Sequence, residues 1–168
     1  MLRLDLGRLA RDGSVKVEVR VPADSALWDE SGAEWESPVD VRLTASHAGT
    51  GEVVVRGVIE GTLRQECRRC VEPVNGTLEH DVTLVFVSAG DQAAEDDPGV
   101  HVYDGAELDL SDAVREEVIL AIDPYVVCDP DCRGLCPRCG VNRNTGTCEC
   151  ADDEIDPRWE ALRALKEE

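Results

Sequence analysis

The stretch Glu52-Val-Val-Val-Arg-Gly-Val-Ile-Glu-Gly-Thr-Leu-Arg-Gln-Glu-Cys67 alternates apolar and charged side chains over most of its length. Val53, Val55, Ile59 and Leu63 fall on one face, with Arg56, Glu60, Arg64 and Glu66 on the other. A period of two marks a β-strand with one buried and one wet face. Gly57 and Gly61 interrupt the apolar face, and glycines at such positions predict a bulge or tight bend. A long strand bent at regular glycines predicts a curved or barrel-like, mostly antiparallel sheet.

The flanking sequence supplies further strands. Over 14–21, Val15, Val17, Val19 and Val21 alternate with Lys16, Glu18 and Arg20, and Pro22 ends the run. Residues 39–48 and 76–87 continue the pattern, the latter with Leu78, Val82, Leu84 and Phe86 in register. Residues 22–38 read as a loop or short helix, with Trp28 and Trp35 forming a small satellite core. Residues 88–99 are rich in Asp, Glu, Ala and Gly and read as a solvated acidic loop. Leu110, Val114, Val118, Ala121 and Ile122 then form an apolar stripe at helical spacing. Asp109 or Ser111 can cap this helix, Pro124 stops it, and its stripe predicts packing on the sheet. Asp156 and Pro157 open a last helix that carries Trp159, Leu162 and Leu165 on one face. No internal repeat is visible.

The chain of 168 residues carries 17 Lys and Arg against 36 Asp and Glu, a formal charge of −19. A simple basic nucleic-acid binder is excluded, because phosphate binding needs a cationic surface. No apolar run reaches the ~20 residues that span a bilayer, and the first residues lack the apolar stretch of a signal peptide. The expectation is a cytoplasmic protein with no membrane partner.

Eight cysteines in a reducing compartment point to metal ligands before disulfides or redox thiols. They fall in pairs: Cys67/Cys70, Cys128/Cys132, Cys136/Cys139 and Cys148/Cys150. Spacings of one and two residues bridge only with strain, whereas four thiolates around zinc accept them readily. Cys136-Pro-Arg-Cys139-Gly140 has the form of a zinc knuckle, with Gly140 free to take positive φ. Asn142, Asn144 and Gly146 supply turn chemistry for the return to Cys148. One grouping joins Cys67, Cys70, Cys128 and Cys132, leaving Cys136, Cys139, Cys148 and Cys150 as a second site closed by a short loop. The rival grouping joins the two CxxC knuckles, Cys67/Cys70 with Cys136/Cys139. The expected cofactor is structural Zn2+, two ions, each four-thiolate site adding about −2. Arg68, Arg69, Arg133, Arg138 and Arg143 sit beside these ligands. They read either as compensation for thiolate charge or as a basic strip that contacts RNA.

From residue 127 to Cys150 hydrophobes give way to Cys, Gly, Pro, Asp, Asn and Arg, as in a small metal-held module. The expected division is a β-rich domain over 1–125, with its helix near 110–122, and a zinc module with a C-terminal helix over 126–168. The fold class is therefore α+β. Catalysis finds little support: a four-cysteine site leaves no open position for water. His47, His80 and His101 stand apart, without the partners of a Cys–His or Ser–His–Asp arrangement.

Leu63-Arg-Gln-Glu-Cys67-Arg-Arg-Cys70 resembles the internal cysteine pair of the YceD family. Glu116-Glu-Val-Ile-Leu-Ala-Ile122, followed by Cys128-Asp-Pro-Asp-Cys132-Arg-Gly-Leu-Cys136-Pro-Arg-Cys139-Gly-Val-Asn142-Arg-Asn144 and Cys148-Glu-Cys150, is similar to its C-terminal signature. Asp156-Pro-Arg-Trp159-Glu-Ala-Leu162 resembles its closing helix. The likeness runs over roughly residues 50–165. It implies a bacterial accessory factor for large ribosomal subunit biogenesis and 23S rRNA accumulation, not an enzyme. The negative charge adds an expected partner, a basic ribosomal protein or a large-subunit precursor, through charge complementarity. Two alternatives stand beside it: a zinc protein that binds rRNA directly through the arginines, and a redox- or zinc-responsive regulator.

Overall fold

The computed structural model describes residues 2–29, 31–49, 51–90 and 99–150. The expected last helix lies outside the described residues, as does most of the acidic stretch at 88–99. Element order is β1 (Arg3–Asp5), α1 (Leu6–Asp12), β2 (Ser14–Val21), a 3-10 turn (Ala26–Trp28), β3 (Glu34–Trp35), β4 (Val39–His47) and β5 (Val53–Glu66). Then come β6 (Pro73–Ser88), β7 (Val100–Tyr103), β8 (Glu107–Asp109) and α2 (Ser111–Ala121).

The main sheet has the order β2-β4-β5-β6-β7, with β3 on the end of β5. All its pairings are antiparallel except β6–β7. β1 and β8 form a separate two-stranded ribbon. The sheet is open, with β2 and β7 as its outer strands, so the barrel-like expectation is corrected. Register explains which face is buried. Val17 of β2 lies opposite Leu43, Val41 opposite Ile59, and Val55 opposite Leu84. Strands β2, β4, β5 and β6 thus set their buried apolar residues largely on one side, which a slip of one position would expose, whereas Val100 and Val102 of β7 fall on the other face. That side is covered by Leu9 of α1, Leu108 and Leu110, Trp28 and Trp35, and Ala113, Val114 and Val118 of α2.

The two glycines of β5 do not make a bulge. The pairing of β5 with β6 is continuous from Val53↔Phe86 to Glu66↔Pro73. Their role is close approach. A Cβ at Gly57 would stand 1.9 Å from the Arg42 carbonyl oxygen, and one at Gly61 would stand 2.7 Å from the Trp35 ring. Trp35 therefore lies over Gly61, and Trp28 packs on it with ring centroids 5.5 Å apart. The Trp28 Nε1 donates to the Pro22 carbonyl, 3.1 Å. The pair belongs to the main core rather than to a satellite.

The helices follow from local signals. Asp5 accepts from the Arg8 N–H at 2.7 Å and starts α1; Gly13, at φ 76, ends it. The sequence reading did not anticipate α1. For α2 the N-cap is Leu110, which has no side-chain capping bond, so neither Asp109 nor Ser111 takes the capping place the sequence predicts; the Asp109 carboxylate instead accepts from the Ser111 N–H at 3.0 Å just before the helix. His80 sits on the inner face of β6 and meets Glu117 of α2 at 2.8 Å, fixing the helix on the sheet. Here a histidine does structural work.

Gly57→Ala should lower the melting temperature by several degrees, a loss of about 1–3 kcal/mol, because the new methyl meets strand backbone. Gly76→Ala, where a Cβ meets nothing within 4 Å, should leave it unchanged or slightly raised. Thermal unfolding of both variants beside the parent checks this.

Candidate metal centres

β5 and β6 form the longest hairpin of the fold, and residues 67–72 are its connection. Cys67 and Cys70 therefore sit at the tip of a ladder fixed by the core. The Cys67 N–H donates to the Glu72 carbonyl at 2.8 Å, and the Val71 N–H returns to the Cys67 carbonyl at 2.8 Å. The second knuckle repeats this pattern. The Cys136 N–H donates to the Val141 carbonyl at 2.8 Å, and the Gly140 N–H to the Cys136 carbonyl at 2.9 Å. Glu66↔Pro73 flanks the first and Leu135↔Asn142 the second, at the same offsets from the leading cysteine. The structure thus contains an internal repeat that the sequence reading overlooked, because only Cys-x-Arg-Cys is common to both copies.

The segment after α2 brings the other two thiols to the first knuckle. The Arg68 N–H holds the Val126 carbonyl at 3.0 Å, and Gln65 Nε2 holds the Asp123 carbonyl at 3.0 Å. Asp129 then makes a tight turn, accepting from the Asp131 N–H at 2.7 Å. The result gathers Cys67, Cys70, Cys128 and Cys132, with the four sulfurs within 4.8 Å of one another. Cys136, Cys139, Cys148 and Cys150 gather in the same way. Of the groupings that keep the local pairs intact, the structure shows the one that joins Cys67/Cys70 to Cys128/Cys132; the two knuckles do not share a cluster.

The sulfur distances decide between bond and ligand set. Cys67 and Cys132 Sγ are 3.8 Å apart, and Cys70 and Cys128 Sγ 3.5 Å. A disulfide needs about 2.05 Å. A tetrahedron with metal–sulfur bonds of about 2.3 Å has edges of about 3.8 Å. The residues therefore fit a four-thiolate metal ion.

Protonation tells the same story. The backbone N–H groups of Cys139 and Arg138 aim at the Cys136 sulfur and draw its pKa down to about 6. Burial alone would raise Cys67, but backbone donors at Cys128, Cys70 and Arg69 reverse this and bring it to about 6. The neighbouring Cys70 and Cys132 thiols push Cys128 up to about 12. Cys139, followed by burial, does the same to Cys150, also to about 12. Each cluster is thus built to ionise some of its thiols while their mutual repulsion resists ionising all four. A bound dication removes that conflict.

The two clusters differ in setting. Cys67, Cys70 and Cys132 are buried beside Val74 and Val127. Cys139 is exposed, and Cys148 and Cys150 are half-buried. They are also linked. Asn144, carried by the loop of the second cluster, donates from Nδ2 to the Cys132 sulfur of the first at 3.3 Å. Its Oδ1 accepts from the Arg133 N–H at 2.8 Å. Sequence reading gave Asn144 only a turn role; nothing in spacing shows that its amide reaches the other cluster. Leu135 N–H donates to the Arg69 carbonyl at 2.9 Å, and Gly134, at φ 70, lets the backbones meet there.

The arginines divide by contact. Arg69 donates from Nη1 to the Pro130 and Cys132 carbonyls, at 3.1 and 3.0 Å, and clips the first cluster shut. Arg68 lies over the Tyr125 ring, 4.3 Å from its centroid. Among the described residues, no helix is long and apolar enough to cross a membrane.

An open sheet whose longest hairpin ends in a four-cysteine cluster, with a second cluster tied to it, defines a protein built on paired CxxC knuckles. The chain belongs to the family described as large ribosomal RNA subunit accumulation protein YceD, which matches residues 55–166. It is 32% identical to the uncharacterized protein Rv2926c of Mycobacterium tuberculosis over 168 residues, covering 96% of this chain and 79% of the relative. It is 28% identical to the chloroplastic large ribosomal RNA subunit accumulation protein YCED homolog 1 of Zea mays, over 88% of this chain and 60% of the relative. The YceD protein of Haemophilus influenzae is 36% identical over 42% of each chain. No solved structure matches this chain.

Asn144→Ala should weaken metal retention by the first cluster about tenfold to a hundredfold, the usual cost of losing a hydrogen bond to a ligand. Chelator competition, followed by a colorimetric metal indicator, measures it. Unchanged retention would show that the Asn144 amide plays no part.

Proposed function

We propose that this chain is a non-enzymatic accessory factor for large-subunit rRNA accumulation that binds a basic ribosomal protein or an assembly intermediate containing one. The observation that carries this reading is the formal charge of −19 on a chain whose family is described by large ribosomal RNA accumulation. The plant relatives share that description. A strongly anionic surface attracts a cationic partner from a distance and repels free RNA.

In this reading both clusters hold structural Zn2+. Cys67, Cys70, Cys128 and Cys132 ligate one ion, and Cys136, Cys139, Cys148 and Cys150 the other. Residues 1–125 supply the sheet, and a second unit begins at residue 126, whose stretch 126–150 is metal-held and closes on the hairpin tip. A four-thiolate site is coordinatively full, which supports a scaffold role over hydrolysis. Direct rRNA binding through the arginines gains less support, since Arg68 and Arg69 are engaged within the protein. Ribosome assembly also agrees with a cytoplasmic location.

Elemental analysis of the native protein should find two zinc ions per chain. Cys139→Ser should leave one and preserve the sheet by circular dichroism, while Cys67→Ser should also destabilise the fold, because its partners join distant parts of the chain. A metal-free native protein would remove the scaffold reading.

Capture with the tagged full chain from lysate tests the partner. Basic ribosomal proteins should be retained at low salt, released at high salt, and indifferent to ribonuclease. Retention that vanishes with ribonuclease would replace this reading with direct rRNA binding.

A further inference from the structure

The two knuckles are alike in backbone but not at the residue that follows the second cysteine. In the second, Gly140 takes φ 75 there, as a glycine readily does. In the first, Val71 takes φ 62, in the left-handed region that β-branched residues rarely enter. Glycine would fill this place without strain, as its sister position shows. The valine gains nothing in the core, since it is 52% exposed. A strained residue displayed on the surface points to a contact made by its side chain.

Val71 lines an open groove of about 660 Å3 between the first knuckle, the end of β5 and the end of α2. Ile119, Ile122 and Val126 continue its apolar floor, and Glu34 and Glu66 stand on its walls. Ile119 is itself 39% exposed. Arg64 also borders the groove but is paired with Glu34 at 3.7 Å. With Glu34 taken by Arg64, Glu66 is the carboxylate left at the rim, and a cleft with an apolar floor, an exposed valine and a carboxylate at its edge is complementary to an apolar side chain flanked by Lys or Arg.

We propose that this groove is the docking surface for a lysine- or arginine-rich protein segment, whose apolar side chain packs on Val71 and Ile119 while a cation meets Glu66. The inference rests on the cationic partner of the proposed function and assigns it a site. Long-range charge brings the segment in; the groove selects one with an apolar anchor among its cations.

Val71→Gly tests it cleanly, because glycine relieves the backbone strain and removes the side chain. The probes are two dye-labelled peptides, one of lysines alone and one of lysines interrupted by leucines. Both are titrated against the zinc-loaded full chain by fluorescence anisotropy at low salt. The parent should bind the leucine-bearing peptide more tightly. Val71→Gly should lose roughly five- to tenfold for that peptide, the share of one buried valine side chain, and keep its affinity for the lysine peptide. It should retain its metal and melt no lower than the parent. Glu66→Gln should weaken both peptides.

Equal binding of the leucine-bearing peptide by parent and Val71→Gly would overturn the groove while leaving a cationic partner intact. Failure of the parent to bind either peptide would instead remove the cationic partner itself. Three further outcomes would assign the groove elsewhere and overturn the proposal: a shift in sedimentation on Val71→Gly (a second copy), loss of oligouridine binding rather than peptide binding (RNA), or photo-crosslinking from position 119 to residues 151–168 of the same chain.

Discussion

Four thiols held within 4.8 Å cannot all be ionised unless a cation lies among them, and the fold is arranged around that constraint. Cys67 and Cys70 are fixed by the β5–β6 ladder, so their positions are set by the core. Cys128 and Cys132 arrive more than fifty residues later, on a segment with few apolar residues of its own. What holds that segment is a set of hydrogen bonds to the hairpin tip, from Arg68, Arg69 and Gln65, together with the thiol cluster. Closing so long a loop costs conformational entropy, and a metal ion is the strongest single contact able to offset it. The buried first cluster therefore joins two regions, whereas the second, more exposed, organises the short stretch from 136 to 150.

The repeated knuckle shows how one backbone solution serves two purposes. Both copies use the same reversed N–H contacts and the same left-handed residue after the second cysteine. The copy at the hairpin tip borders the sheet and α2, so its outer residue has a groove to face; the other copy borders solvent. Asn144 ties the copies together by giving a hydrogen bond across from the second loop to the first cluster. The loop that carries the second cluster therefore also supplies a hydrogen bond to a sulfur of the first.

Strands were legible because the period of two is a geometric necessity for a one-faced sheet, and Val15, Val41, Val55 and Leu84 each lie on the face their alternation assigns. The glycines of β5 misled for a physical reason. A missing side chain in a strand signals either a bend or a close neighbour, and only the neighbours, Arg42 and Trp35, distinguish them. That ambiguity produced the expectation of a barrel where the sheet is open. α1 escaped notice because Leu9 is its single buried residue, too few to make a stripe, although Asp5 and Gly13 mark its ends. The cysteine pairs were legible from their spacing, but which pairs gather was not, since the short loop from Cys139 to Cys148 favoured one grouping without excluding the other. Val71 was not: no propensity foretells a valine at positive φ, and only comparison with Gly140 gives it meaning.

Charge and apolar contact do different work in an acidic protein of this kind. A net charge of −19 acts over roughly a Debye length, ~10 Å at ordinary ionic strength, and discriminates little among cationic partners. It raises encounter rates and leaves selection to short-range packing. Selection must then fall to a place where packing and charge coincide. On the described surface the groove lined by Val71, Ile119 and Ile122 and bordered by Glu66 brings the two together. It does so beside the rigid cluster rather than on a mobile loop, so a partner finds its site already formed and loses less entropy on binding.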